Sequence, residues 1–327
     1  MSSSLHWCRL LAGIAWLHVY LGMVFACLNG VGRAEDLLRL QKDACQMGVD
    51  LQKGGSITWL SWNEYPHNAV NISDPGRLIQ QSYYAGASLD RRNEGQSRSW
   101  SPWPWNPIQG GGVGSWARVV SSRKEGESEI YTETIPKLWD MPNEEASARM
   151  KQWTQWEPEM QGVIQVRCEF RSERLRGDRW GDGQPMAQEI PACYFTRNFS
   201  RFQSYLGGGT WREETQAPGP PWGHATPPHD AMACFEKSGQ GIAIYSPCAN
   251  MPWNFGPHGQ GASQNPQDGP CVHIAPLERV AFKPKAIYRY RYWLMVGDEK
   301  HLSQSIDRLE AKYASEASQI EMIDVPE

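Results

Sequence analysis

The 327-residue chain reads as an all-β protein: a large antiparallel β-sandwich, of jelly-roll or supersandwich type, with one or two peripheral helices. Three observations predict this. Short runs of strand-forming residues recur along the chain, each bounded by Gly, Pro or Asn clusters. Only two segments carry a helix-like pattern, and no strand–helix–strand alternation of a doubly wound sheet is present. The run "AIYRYRYWLMV" (286–296) alternates cleanly, with Tyr288, Tyr290, Tyr292, Leu294 and Val296 on one face and Arg289, Arg291 and Trp293 on the other.

In chain order, the first element is a leader. Arg9 supplies a positive charge ahead of an apolar run, and Gly32 and Ala34 stand at the −3 and −1 positions of a cleavage site. Residues 1–34 read as a secretory signal peptide, with an uncleaved membrane anchor as the competing reading. No other apolar stretch approaches the ~20 residues that span a bilayer. The expectation is a secreted or periplasmic protein, 35–327, folding as a single sandwich domain with no membrane contact beyond the leader. Without Arg9 and Arg33 the chain carries 30 basic against 36 acidic side chains, which argues against nucleic acid and anionic membranes as partners.

Strands are expected at 56–62, 77–84, 117–122, 129–135, 162–170, 187–196, 241–246 and 286–296. The segment 143–153 opens on Asn143 as an N-cap with acids in its first turn, and 302–314 spaces Leu302, Ile306, Leu309 and Tyr313 for one apolar stripe. Both read as helices. Six cysteines follow the leader, an even number that suggests disulfides in an exported chain. The loop lengths favour Cys193–Cys234 and Cys248–Cys271.

The loops carry the functional signal. "SWSPWPWNPIQGGGVGSW" (99–116) packs four tryptophans, three prolines and four glycines into a segment unsuited to helix or central strand. "PPWGHATPPHD" (220–230) and "MPWNFGPHGQG" (251–261) repeat its Pro-Trp step. Indole faces on stiffened loops suit pyranose rings. Trp103, Trp105, Trp222 and Trp253 are the candidate stacking residues, and Asn106, Gln109 and His258 the candidate hydrogen-bonding ones. The competing reading is that most of these tryptophans are core.

Chemistry has three candidate seats. In "NISDPGRLIQQSYYAG" a turn at Asp74-Pro75-Gly76 leads into a strand carrying Arg77, Gln81 and Tyr83 on one face. Arg and Gln beside a Tyr suit β-elimination from a uronate: a cation or amide neutralises the carboxylate while a Tyr or His, such as His224, moves protons. Glycoside hydrolysis would instead pair Glu189 with a second acid among Glu133, Asp182, Glu213 and Glu214. His224, His229, Asp230 and His258 favour hydrogen bonding over metal ligation. No metal or cofactor is expected.

"DPGRLIQQSYYAG", "QEIPACY" and the closing "YRYRYWLMVGD" strand with its following helix resemble exported bacterial β-sandwich proteins of carbohydrate metabolism, the polysaccharide lyases and mutarotase-like sandwiches. The resemblance implies a glycan-facing sheet carrying Arg, Gln and Tyr. The expected function is therefore an exported enzyme acting on a polysaccharide or oligosaccharide by β-elimination or hydrolysis, with a non-catalytic glycan-binding sandwich as the alternative.

Overall fold

The computed structural model describes residues 36–73, 75–259 and 271–323; the leader and Asp74 of the expected turn lie outside them. The alternating strand near the end of the chain organises the rest. Ala286–Asp298 pairs with Val163–Ser172 along one edge, and with Gln240–Tyr245 and Gln319–Met322 along the other. From it grows a ten-stranded sheet, nine of whose strands run in the order Arg118–Glu125, Glu129–Ile135, Ala148–Trp156, Val163–Ser172, Ala286–Asp298, Gln240–Tyr245, Ala231–Phe235, Arg201–Gly207, Thr210–Glu214, with Gln319–Met322 the tenth beside Ala286–Asp298. A seven-stranded sheet runs Lys137–Leu138, Pro107–Ile108, Gln80–Ser82, Met186–Thr196, Cys271–Val280, Met251–His258, Gly223–Ala225. Pairing is antiparallel throughout both, as expected for a sandwich.

Period-two alternation decides what meets what. Tyr288, Tyr290, Tyr292 and Leu294 of the large sheet pack with Phe195, Ile274, Val272 and Phe255 of the small one in a single core. A three-stranded sheet, Leu37–Lys42, Cys45–Asp50 and Ser56–Ser61, adds Leu40, Met47, Val49 and Leu60 to it. Trp293 and Met295 point the other way, where Leu302, Ile306 and Leu309 of a helix cover them.

That helix spans Glu299–Tyr313, close to the expected 302–314, and starts where the Asp298 carboxylate accepts from the His301 amide at 2.8 Å. It is fastened to the sheet by one buried carboxylate. Glu157 Oε2 accepts from Gln165 Nε2 at 3.0 Å and Trp293 Nε1 at 2.8 Å. Its Oε1 accepts from Lys312 Nζ at 2.7 Å and the Tyr313 hydroxyl at 2.8 Å.

Three expectations need correction. Segment 143–153 is not a helix: Ala148–Trp156 is a strand held between Glu129–Ile135 and Val163–Ser172. Its buried set is Ala148, Met150, Gln152, Thr154 and Trp156, a period of two that the polar Gln152 and Thr154 conceal. Segment 77–84 is a regular strand only over Gln80–Ser82. The two expected disulfides are not formed; Cys193, Cys234 and Cys248 are buried free thiols. Burial pushes the Cys193 thiol well above its ordinary pKa, so it packs as a small apolar side chain rather than a reactive thiolate.

Candidate functional site

The outer face of the seven-stranded sheet, turned away from the core, carries a small cluster of its own: Ala192, Tyr194 and Cys271, with Trp222 packed against them. Glu189 joins Tyr194 on this face despite an odd spacing of five, which would ordinarily put the two on opposite sides. The register of Met186–Thr196 slips between Glu189 and Cys193 against Cys271–Val280, and between Glu189 and Ala192 against Gln80–Ser82. This bulge at Ile190-Pro191 sends Ile190 into the core and re-aims everything after it. Proline fits there because a bulge residue need not donate to the ladder. On the next strand His273 points outward between core residues Val272 and Ile274, and on the one beyond, His258 ends Met251–His258.

Loops wall these residues into a cleft of about 160 Å³, lined by Arg77, Tyr84, Trp100, Trp103, Trp139, Glu189, Tyr194, Trp222 and His258, with Ser82, Asn106, Ile108 and Pro220 among the remainder. The aromatic rings hold one another in place. His273 stacks on Tyr194 with centroids 4.3 Å apart, and Trp222 lies 4.5 Å from the same imidazole. Trp222 also approaches His258 at 5.4 Å. A second group joins Trp100 to Trp103 at 5.0 Å and to Trp139 at 5.6 Å, with Trp103 meeting Tyr84 edge-on at 6.4 Å. Trp103 is further fixed by donating through Nε1 to Asn106 Oδ1 at 3.0 Å.

Glu189 is 8 % exposed and lies 3.3 Å from Nε2 of the fully buried His273. Burial first, then the Arg77 and His273 charges, lower the His258 pKa to about 4, so its imidazole is uncharged at neutral pH. Burial followed by the nearby Glu189 charge pushes the Tyr84 and Tyr194 phenols upward, so both stay protonated. The cleft thus gathers a carboxylate, an uncharged imidazole, two neutral phenols and a guanidinium beneath indole rings.

The residues expected from sequence divide sharply. Arg77, Glu189, Trp103, Asn106, Trp222 and His258 line this cleft. Gln81 and Tyr83 do not. Gln81 Nε2 donates across the core to the Lys151 carbonyl at 3.1 Å, and the Tyr83 ring sits against Phe170 at 4.4 Å. Strand alternation begins only at Gln80, so Ser82 and Tyr84 take the outer face and Arg77, ahead of the strand, is free of that parity. Trp105 and Trp253 are each 1 % exposed and belong to the core. Gln109 is buried between Gly55, Gln152 and Gln81, and His224 is exposed on the edge strand Gly223–Ala225. The expected face of Arg77, Gln81 and Tyr83 is therefore not formed, and of the four candidate indoles Trp103 and Trp222 reach the cleft while Trp105 and Trp253 do not. Glu133, Asp182, Glu213 and Glu214 do not line the cleft, and His229 instead contacts Glu310 through Nδ1 at 2.7 Å.

Tyr84, Trp139, Tyr194 and His273 were not singled out from sequence. A lone histidine in the otherwise apolar run "CVHIAP" was the available signal for His273, since a buried polar group in a strand needs a reason.

No protein-family model matches the chain, and no curated protein matches it by sequence. Solved structures that it is similar to include a presumed aldose 1-epimerase from Escherichia coli K12, at 11 % identity and TM-score 0.48, covering 80 % of this chain and 99 % of that one. A galactose mutarotase-like protein from Lactobacillus casei matches at 9 % identity and TM-score 0.45, covering 80 % and 100 %. A heparan sulfate lyase from Pedobacter heparinus matches at 10 % identity and TM-score 0.40, covering 89 % and 42 %.

Proposed function

We propose that this protein is an exported, saccharide-directed enzyme that carries out proton-transfer chemistry on a pyranose ring held in the cleft. The observation that carries the reading is the isolation of Glu189. Among the described residues lining the cleft it is the only carboxylate, and it shares the cleft with an uncharged His258 and the Arg77 guanidinium. Hydrolysis by two carboxylates needs a second acid within about 5–9.5 Å. One acid with a neutral imidazole suits a reaction in which one proton leaves the sugar and another is delivered to it.

β-Elimination from a uronate uses every group. Arg77 neutralises the sugar carboxylate and so acidifies the neighbouring C–H. His258 takes that proton, and the Glu189 side of the cleft supplies one to the departing oxygen. Tyr84 and Tyr194 donate hydrogen bonds, and the indoles of Trp103 and Trp222 hold the C–H faces of the ring. Incubation with a panel of uronic-acid oligosaccharides and polysaccharides, followed by absorbance of the unsaturated product, tests this. Product that is lost in Glu189→Gln is the expected result; saturating sugar binding with no product would overturn it in favour of a binding module.

The size of the cleft favours a second reading. At about 160 Å³ it is smaller than the ~300–1,000 Å³ of drug-sized ligand pockets and suits one ring better than an internal segment of polymer. The same acid–base groups would then interconvert the anomers of a free sugar, which polarimetry of freshly dissolved aldoses detects. The leader read from the sequence supports export, and a mature chain beginning at Glu35 on N-terminal sequencing is the expected outcome.

A further inference from the structure

The His273 imidazole faces hydrogen-bond acceptors at both nitrogens. Nδ1 lies 3.2 Å from the Cys193 carbonyl oxygen, an acceptor without a proton, so Nδ1 carries the hydrogen of that contact. Nε2 then faces Glu189 Oε1, 3.3 Å away but short of hydrogen-bond alignment, and has no other partner among the described residues. The ring is fully buried, packed between Tyr194 and Trp222. A neutral imidazole opposite an ionised carboxylate would set a bare lone pair against an anion where bulk water does not screen it. One further proton removes the conflict, either on Glu189 or on Nε2.

We infer that Glu189 and His273 hold one proton between them, and that this shared proton makes the pair the acid of the cleft, with His273 as the positioning residue that keeps Glu189 loaded. The inference rests on the proposed proton-transfer reading for its catalytic consequence, but the shared proton itself does not. The titratable and charged groups around the pair are the Tyr84 and Tyr194 phenols, the Arg77 guanidinium, the His258 imidazole and the Cys193 and Cys271 thiols. Both phenols stay protonated and His258 stays neutral around pH 7, so none of them supplies a competing proton change there. In a turnover the Glu189 O–H bond breaks as an O–H bond forms on the sugar oxygen, while His258 takes one proton from the sugar. Solvent then returns a proton to the pair and removes one from His258, leaving the protein unchanged.

Nuclear magnetic resonance of the whole protein with ¹⁵N-labelled histidine tests the shared proton directly. The His273 signals are identified as those that disappear in His273→Gln, and the perturbation is Glu189→Gln, a variant of nearly the same shape whose amide can donate to Nε2. The expected wild-type spectrum shows Nδ1 protonated and Nε2 protonated or strongly hydrogen-bonded. In Glu189→Gln the ring becomes an ordinary neutral Nδ1–H tautomer whose Nε2 accepts from the new amide. A wild-type His273 with a bare, unbonded Nε2 throughout the pH range, or one indifferent to Glu189→Gln, overturns the inference. On a sugar that is turned over, His273→Gln is expected to lower kcat about 100-fold with KM unchanged and to displace the pH profile. A profile that keeps its shape would reduce His273 to packing. A loaded pair in a protein that transforms no sugar would refute the proposed function while leaving the pair intact; turnover with a bare Nε2 would do the reverse.

Discussion

Removing the Glu157 carboxylate should detach the helix from the sandwich, and the cost can be worked from its partners. Glu157 is fully buried and accepts four hydrogen bonds, two from the sheet and two from the helix. In Glu157→Ala the Trp293 indole N–H and the Gln165 amide, both in buried side chains, lose their acceptor, at about 1–3 kcal/mol each. Lys312 is half exposed and Tyr313 partly so, and both can turn to water at little cost. The expected loss is therefore about 2–6 kcal/mol, with Lys312→Ala costing below about 1 kcal/mol. Urea unfolding followed by circular dichroism measures both, provided the slope with denaturant is unchanged. A Glu157→Ala loss under about 1 kcal/mol would refute the reasoning, because it would mean water already satisfies the two sheet donors. The pH dependence has a definite sign. Lys312, Trp293 and Tyr313 outweigh burial and lower the folded pKa, so this contribution is present above the unfolded value of 4.5 and fades as the pH falls below it.

Other outcomes follow from individual residues. Trp222→Ala should weaken saccharide binding by about 3- to 10-fold, the worth of one aromatic contact, whereas Trp253→Ala, in the core, should destabilise the fold by about 3–5 kcal/mol; calorimetric titration and denaturant unfolding separate the two. Because the folded pKa of His258 is depressed to about 4, stability should fall as pH drops from 6.5 toward 4, and His258→Gln should flatten that slope in unfolding midpoints taken across the range. Asp230 behaves oppositely: burial and the Glu310 charge raise it from 3.8 to about 6, so its ionisation destabilises the fold as pH rises through that interval. Asp230→Asn, whose new side chain tolerates the positive φ of 47°, should raise the melting temperature at pH 8 and leave it nearly unchanged at pH 3.5.

The all-β sandwich was legible because alternation at Ala286–Asp298 and Glu129–Ile135 is strong enough to override any local ambiguity. Ala148–Trp156 was not, since Gln152 and Thr154 are buried polar residues that look like an outer face until their partners across the core are known. The site was half legible. Arg77, Glu189, Trp103, Asn106, Trp222 and His258 could be picked as residue types suited to a sugar. Which of Gln81, Ser82, Tyr83 and Tyr84 faces the cleft depends on where regular pairing starts, and propensity does not mark that point. Trp105 and Trp253 share the Pro-Trp pattern with Trp222 but differ by what packs on them, a long-range property. The Ile190-Pro191 bulge was equally hidden: a proline in a strand signals an irregularity without saying that it would bring Glu189 round to join Tyr194.

That bulge also bears on how the protein could be altered. Glu189, Tyr194, His273 and His258 stand on strands whose intervening residues, Ile190, Cys193, Phe195, Val272, Ile274 and Phe255, build the interior. Reactivity and folding are written on alternate letters of the same strands. A library varying only the outward letters would retain its scaffold while sampling new chemistries, but pairing the strand at full length without its bulge would turn the acid inward.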